Sequence, residues 1–453
     1  MLPEVVALHR IGSLVRIPPA QDVPVSDRVR RILDLAPMRR LASISQLGMV
    51  SLVYPGATHS RLEHSLGVYH NALRVLARFS SDPEFTERIT PAMAEAFVLA
   101  ALIHDIGHWP YCHPIEDMDI RELGEHESRI RQIIHNSGLA DCIDQDWLCE
   151  PSEVLALLES ESQVTAQIEG ANKEACCFLR SCISGPVDID KLDYLQRDSL
   201  HAGVPYGRNF DAGRLISALC FNSETSRLAI MDKGRTAAEM MVFSRYVMFS
   251  EVYWHHAVRS ATAMLQRCVF LLQNRIDLES TLGLVDATWV AMLRRAAEGS
   301  VAEPLAEGLF GARRRLYKRT AEFNLIDGCE VHQSLARKPY WWLVACCEKL
   351  AESVSARTGI PIHPADVLLD APPVKLEVDI DVDVLGRDGT MRTLGDVSPV
   401  ASALASQQFD NQVKQVRVFV RDDLRAELQR VLNPSDWAEE LLAAAGRLEQ
   451  EIV

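Results

Sequence analysis

The segment "TPAMAEAFVLAALIHDIG", residues 90–107, limits the possible folds more than any other stretch. Thr90 is a helix cap, and Pro91 stands at the first helical position, where a missing N–H is not needed. Gly107 supplies the stop. The residues between are apolar on nearly every side, and such a helix has to be buried all round. The fold must therefore close around it. Yet this apolar run ends in His104 and Asp105. A carboxylate there meets the negative end of the helix dipole, and an unpaired buried charge is strongly unfavourable. A bound cation would compensate it.

Most of residues 24 to about 350 read as helices. "SRLEHSLGVYHNALRVLARF" (60–79) places Leu62, Leu66, Tyr69, Leu73 and Leu76 at helical spacing. Ser60 and Glu63 form a capping box at its start. "GPVDIDKLDYLQRDSLHAG" (185–203) reads as a helix opened by Pro186 and closed by Gly203. Residues 237–273 are largely apolar and predict one or two central helices. The last hundred residues differ. "KLEVDIDVDVL" (375–385) and "QVRVFV" (415–420) alternate as half-buried strands do, after a proline-rich stretch. The expected fold is mainly α, with a helical domain over 1–335. A small mixed α/β region of unknown role follows over 336–453, beginning somewhere between 330 and 365.

The balance of 47 Lys+Arg against 62 Asp+Glu gives a net charge of −15. That argues against long nucleic acid as a partner and requires any bound anion to meet a focused set of cations. No run of about 18 apolar residues predicts a membrane span. The N-terminus does not read as a secretory leader. Eleven cysteines without a C-x-x-C motif fit reduced thiols and a cytoplasmic protein.

The polar residues placed inside the helical part are few. His64 lies in one helix, and His104 and Asp105 end the next. Asp190 lies in a third, followed by Tyr194, Arg197 or Asp198, and His201 at spacings of three or four. Two imidazoles and two carboxylates from three helices suit Mn, Fe, Zn or Ni and leave positions open for water.

"RLEHSLGVYHNA" (61–72), "LIHDIGHWPYCH" (102–113) and "VDIDKLDYLQRD" (187–198) occur in that order. Together they resemble the HD-domain phosphohydrolases. The Q-L-G and P-G-A-x-H-x-R elements of "QLGMVSLVYPGATHSRLEHSLG" (46–67) are similar to the dNTP triphosphohydrolase branch. The resemblance runs from about Asp34 to about Met264, with a further helical stretch expected around "LYKRTAEF" (316–323). It implies an HD helical core with His64, His104, Asp105 and Asp190 as metal ligands. It implies His126, then His113 and His108, as candidates for proton transfer or for positioning the attacking water. Arg61, one turn before His64, and Lys191 and Arg245 become the phosphate cations. Gln46, Tyr194 and Asp198 match deoxyribose contacts, and Tyr253 matches a base-stacking tyrosine.

The implied activity is hydrolysis of a deoxynucleoside triphosphate to deoxynucleoside and triphosphate, with Mg accompanying the triphosphate, in a homo-oligomer. Alternatives are an HD-type phosphodiesterase or nuclease on cyclic or modified nucleotides or DNA ends, or a nucleotide-binding signalling protein. Departures from the family pattern stand out. Ala42 replaces an arginine that, with the residue matching Asp34, helps vertebrate members bind an activating guanine nucleotide. Trp109 replaces a glycine and is expected to narrow the pocket near His108. Glu116 and Asp117 are read as helix-capping groups in preference to ligands of a second cation.

Overall fold

Helix Pro91–Ile103 lies at the centre of the largest core, with Glu95 to Ile103 buried without a break. The protein was studied as a computed structural model. It describes all residues except 1, 9–11, 20, 121, 122, 125, 160–170, 327, 328, 373–381, 405–412 and 453. Thr90 Oγ1 accepts from the Met93 N–H, so the expected cap forms. Helices Arg61–Phe79 and Pro151–Leu158 pack against this central helix, and Ile189–Ala202 packs on Arg61–Phe79. Of the described residues, 63% are helical, so the mainly α expectation holds.

Local details depart from the sequence reading in instructive ways. Ser60 Oγ caps Arg61–Phe79 by accepting from Glu63 N–H. The Glu63 carboxylate does not close the box; it bonds Arg197 and His201 instead. Helix Ile189–Ala202 starts three residues after Pro186, because the Asp188 side chain accepts from Lys191 N–H and serves as its cap. Gly203 ends it with φ +72°, as expected. Segment 237–273 resolves into helices Arg235–Met248 and His256–Leu272, separated by a π-helical turn over Phe249–Tyr253.

Among the described residues, three small sheets complete the fold. β1 (Leu14–Ile17) and β2 (Gln21–Pro24) form a hairpin. β3 (Leu219–Asn222) and β4 (Arg227–Met231) form another inside the stretch read as helical, so that reading is corrected there. β4 pairs in parallel with β7 (Asp383–Leu385), which pairs with β8 (Met391–Thr393). Most of the alternating segment 375–385 lies outside the described residues. Its end is β7, whose Val384 is buried in the first core together with Val382. The third sheet has order β5–β9–β6, with β5 (Lys318–Phe323), β6 (Val367–Asp370) and β9 (Val416–Val420). The helix expected around 316–323 is thus a strand. Val418 and Phe419 of β9 oppose Ala321 and Arg319 of β5; the strand read over 415–420 forms, but all five residues of β9 are buried instead of half of them. Helices Tyr340–Thr358 and Pro434–Ile452 cover this sheet and bury Trp437 and Leu441. All eleven cysteines are free thiols.

Candidate metal and active site

Three helix ends deliver the metal-type residues. His64 lies in the first turn of Arg61–Phe79, His104 caps the C-terminus of Pro91–Ile103, and Asp190 opens Ile189–Ala202. His104 Nε2 stands 3.2 Å from His64 Nε2, 3.4 Å from Asp105 Oδ1 and 3.9 Å from Asp190 Oδ1. His64 Nε2 is 2.9 Å from Asp190 Oδ1.

The donor set fits a divalent ion. His64 Nδ1 is 2.9 Å from Asp193 Oδ2, and His104 Nδ1 is 2.9 Å from the Ala101 carbonyl. Those acceptors assign the hydrogen of each neutral ring to Nδ1. Both Nε2 lone pairs then point inward, at two carboxylates, with no donor among the four. An outer hydrogen bond on the far nitrogen is how metal-binding histidines are usually oriented. The pocket's demand for positive charge shows in His64: burial opposes its protonation, yet Asp190 and Asp193 push it up to about 10.

Asp105 is compensated by its neighbours as well. Arg61 Nη1 donates to Asp105 Oδ2 at 2.8 Å, and His108 Nδ1 lies 3.2 Å from Oδ1. Burial works against the carboxylate, but His108, Arg61, His104 and His64 hold its pKa well below the ordinary range. Burial, aided by Arg61, pushes the His108 imidazole well below its usual value, against the opposing pull of Asp105.

Behind His64 stands an ion pair that the sequence reading did not foresee. Arg197 grips Asp193 with two bonds, Nε to Oδ2 at 2.8 Å and Nη2 to Oδ1 at 2.7 Å. Burial alone would raise Asp193, but Arg197 and His64 hold it down near about 2. Arg197 Nη1 continues to Glu63 Oε1 at 2.7 Å. The available signal was Asp193 itself, inside the matched segment 187–198 and one turn after Asp190.

The three histidines proposed for proton transfer come together around Glu116. Ring centroids of His108 and His126 are 3.8 Å apart, and those of His108 and His113 are 5.0 Å apart. Glu116 Oε1 accepts both the backbone N–H of His126, at 2.7 Å, and a bond from His126 Nδ1, at 2.8 Å. It therefore caps helix His126–Asn136, as expected of a capping group, and also fixes the His126 ring. Burial opposes its charge, but His113 and His126 hold its carboxyl well below the usual range. His113 lies at the rim, with a side chain 61% exposed and Nδ1 3.6 Å from Glu116 Oε2. Trp109 is 1% exposed and packs in the second core, with the Arg129 guanidinium 5.6 Å from its ring.

The remaining candidates lie along helix Ile189–Ala202. Lys191 Nζ bonds Asp188 Oδ2 at 2.6 Å instead of standing unpaired. Burial pushes Tyr194 up to about 12, opposed by the nearby charges of Arg245 and Lys191. Arg245 also sits over Phe249, 5.7 Å from its ring centre. Asp198 accepts from Tyr253 OH at 2.6 Å and from His59 Nε2 at 2.9 Å. The Gln46 N–H donates to the His59 carbonyl at 2.9 Å. Arg61 Nε, His108 Nε2, Gln46 Oε1 and His59 Nδ1 are buried without a hydrogen-bond partner. Buried polar atoms are seldom left unsatisfied, and four among these residues mark a place built for a ligand.

Comparison with known proteins agrees with this geometry. The family model described as HD domain matches residues 61–163, and that described as HD associated region matches 210–434. An uncharacterized protein of Methanocaldococcus jannaschii is 29% identical over 86% of this chain and 75% of its own length. The deoxynucleoside triphosphate triphosphohydrolase SAMHD1 of Homo sapiens is 28% identical over 56% of this chain, and the match spans 43% of that protein. The crystal structure of a hypothetical protein from Aquifex aeolicus superposes with a TM-score of 0.68 at 25% identity, covering 92% of this chain and 99% of that one. With His64, His104, Asp105 and Asp190 gathered at the end of the central helix, the chain belongs to the HD-domain phosphohydrolase superfamily, in its dNTP triphosphohydrolase-like branch, and is a hydrolase.

Proposed function

We propose that this protein hydrolyses deoxynucleoside triphosphates to a deoxynucleoside and inorganic triphosphate. The observation that supports this reading best is the order of groups along helix Ile189–Ala202. Asp190, Tyr194 and Asp198 share one face at spacings of four, and Asp198 bonds Tyr253 at 2.6 Å. From the metal end to the Asp198 end is about 12 Å along the axis, long enough for a mononucleotide laid beside the helix.

A divalent ion would be held by His64, His104, Asp105 and Asp190, and Mg could accompany the triphosphate. When bound, such an ion supplies Lewis-acid polarisation of a phosphoryl oxygen and lowers the pKa of water. The chain's own residues supply the rest. Arg61, Lys191 and Arg245 offset the phosphate charge, and Arg61 Nε is a donor still without a partner. Glu116 orients His126 through Nδ1, leaving Nε2 to carry a proton to the leaving 5′-oxygen. His113 and His108 stand beside it. Tyr194, Asp198 and Gln46 seat the deoxyribose, and Tyr253 meets the base. The SAMHD1 relatives, named for this reaction, add support.

The test is incubation of the purified protein with each dNTP and Mn2+ or Mg2+, with triphosphate release as the readout. Release is expected in the wild type and loss of at least a hundredfold in Asp105→Ala. No release from any dNTP, or release unaffected by Asp105→Ala, refutes the proposal.

A further inference from the structure

We propose that His59 is the positioning residue of the sugar-side subsite, its carbonyl and its imidazole together fixing Gln46, Asp198 and Tyr253. This inference rests on the function proposed above. His59 is the histidine of the P-G-A-x-H-x-R element, and the reading so far gives it no task.

The three residues come from three separate parts of the chain: the segment before the 3-10 turn at 48–52, helix Ile189–Ala202, and the π-helical turn. His59 joins them. Its carbonyl accepts from the Gln46 N–H, at 2.9 Å. Its Nε2 donates to Asp198 Oδ1, at 2.9 Å, while Tyr253 donates to Oδ2, at 2.6 Å. Two donors on opposite oxygens fix the rotation of the Asp198 carboxylate, and through it the Tyr253 hydroxyl.

The loop that carries His59 is itself held in place. A Cβ on Gly56 would stand 2.5 Å from the His201 carbonyl oxygen, so only glycine allows this close approach. The His59 ring stacks on His201 with centroids 4.3 Å apart and planes 16° from parallel. His201 Nε2 lies 2.8 Å from Glu63 Oε1, the same oxygen that receives Arg197. The sugar-side group is thus tied to the residues that orient His64.

Packing alone does not account for the histidine. Its side chain is fully buried, and Nδ1 has no partner. A buried, unpaired ring nitrogen is unfavourable, and an apolar residue of similar size would avoid it. What a histidine adds here is the Nε2–H aimed at Asp198.

The experiment is steady-state kinetics with each dNTP on the wild type, His59→Ala, His59→Gln and Asp198→Ala, with bound metal measured by elemental analysis. In His59→Ala, kcat/KM is expected to fall about tenfold, mainly through KM, with metal content unchanged. His59→Gln places an amide N–H near the Nε2 position and should recover most of the loss. His59→Ala added to Asp198→Ala should cost no more than Asp198→Ala alone. Unchanged KM in His59→Ala, additive losses in the double variant, or loss of metal together with activity would overturn the assignment. If His59→Ala does not unfold cooperatively, His59→Asn replaces it: its amide is too short to reach Asp198, so a KM equal to that of His59→Gln overturns the assignment. A wild type that turns over no dNTP overturns the proposed function and this inference with it.

Discussion

Gly67→Ala separates local helix preference from the demands of the site. Gly67 lies inside helix Arg61–Phe79, three residues after His64. Helix propensity alone says that alanine there should stabilise the protein by about 1 kcal/mol. The packing says the opposite. A Cβ at position 67 would stand 1.9 Å from Asp193 Oδ1 and 2.4 Å from Arg197 Nη2. Neither group can retreat. Asp193 is held by His64 as well as by Arg197, and Arg197 Nη1 is held by Glu63 and by the Pro18 carbonyl. Either the Asp193–Arg197 pair opens or the two helices separate. Breaking a buried ion pair costs roughly 3–5 kcal/mol. Subtracting the propensity gain leaves a net loss of about 2–4 kcal/mol. His64 also loses the partner that sets its tautomer, so metal affinity should fall by about 10–100-fold. Urea unfolding measures the first quantity and metal titration the second. A raised urea midpoint with unchanged metal affinity would show that the Asp193–Arg197 pair does not constrain this helix contact.

Two further predictions concern charge. Glu4 is 1% exposed; burial would raise its pKa, but Arg28, bonded to both its oxygens, and Ser26 hold it below the ordinary value near 4.5. A carboxyl depressed by folding contributes stability above the unfolded pKa and loses it as pH falls through the folded one. Urea midpoints from pH 7 to 3 should therefore drop below about pH 5 in the wild type and drop less in Glu4→Gln, and equal acid slopes would contradict this. For the metal, Mn2+ added to chelator-treated protein at about 100 times its Kd should add about 2.7 kcal/mol to unfolding. That gain should vanish in Asp105→Ala; an equal gain in both proteins would rule out the assigned site.

Much of the fold was legible because the strongest signals were periodic. The apolar run 90–103 could only be a buried helix, and Val416, Val418 and Val420 alternate as a strand requires. The errors fall where tertiary partners decide. Segment 318–323 becomes a strand because β9 pairs with it, and Phe323 and Ala321 pack against β9 and the helices behind it. Segment 219–231 forms a hairpin whose partner, β7, lies more than 150 residues away, beyond the reach of any local pattern.

The site divides along a similar line. His64, His104, Asp105 and Asp190 were legible because their residue types are costly in an apolar interior unless something binds them, and cost of that kind is visible in a sequence. The roles of Asp193, Arg197, Glu63 and His59 were not, because each satisfies another polar group. Glu63 read as a capping residue, and nothing in one helix reveals that its carboxylate turns to Arg197 and His201 on another. Such residues become visible only when the helices are placed together. Yet they decide which nitrogen of His64 faces the metal pocket and how the Asp198 carboxylate is turned. A variant that keeps all four proposed metal ligands and loses Asp193 or His59 would therefore still read, from its sequence, as an intact enzyme.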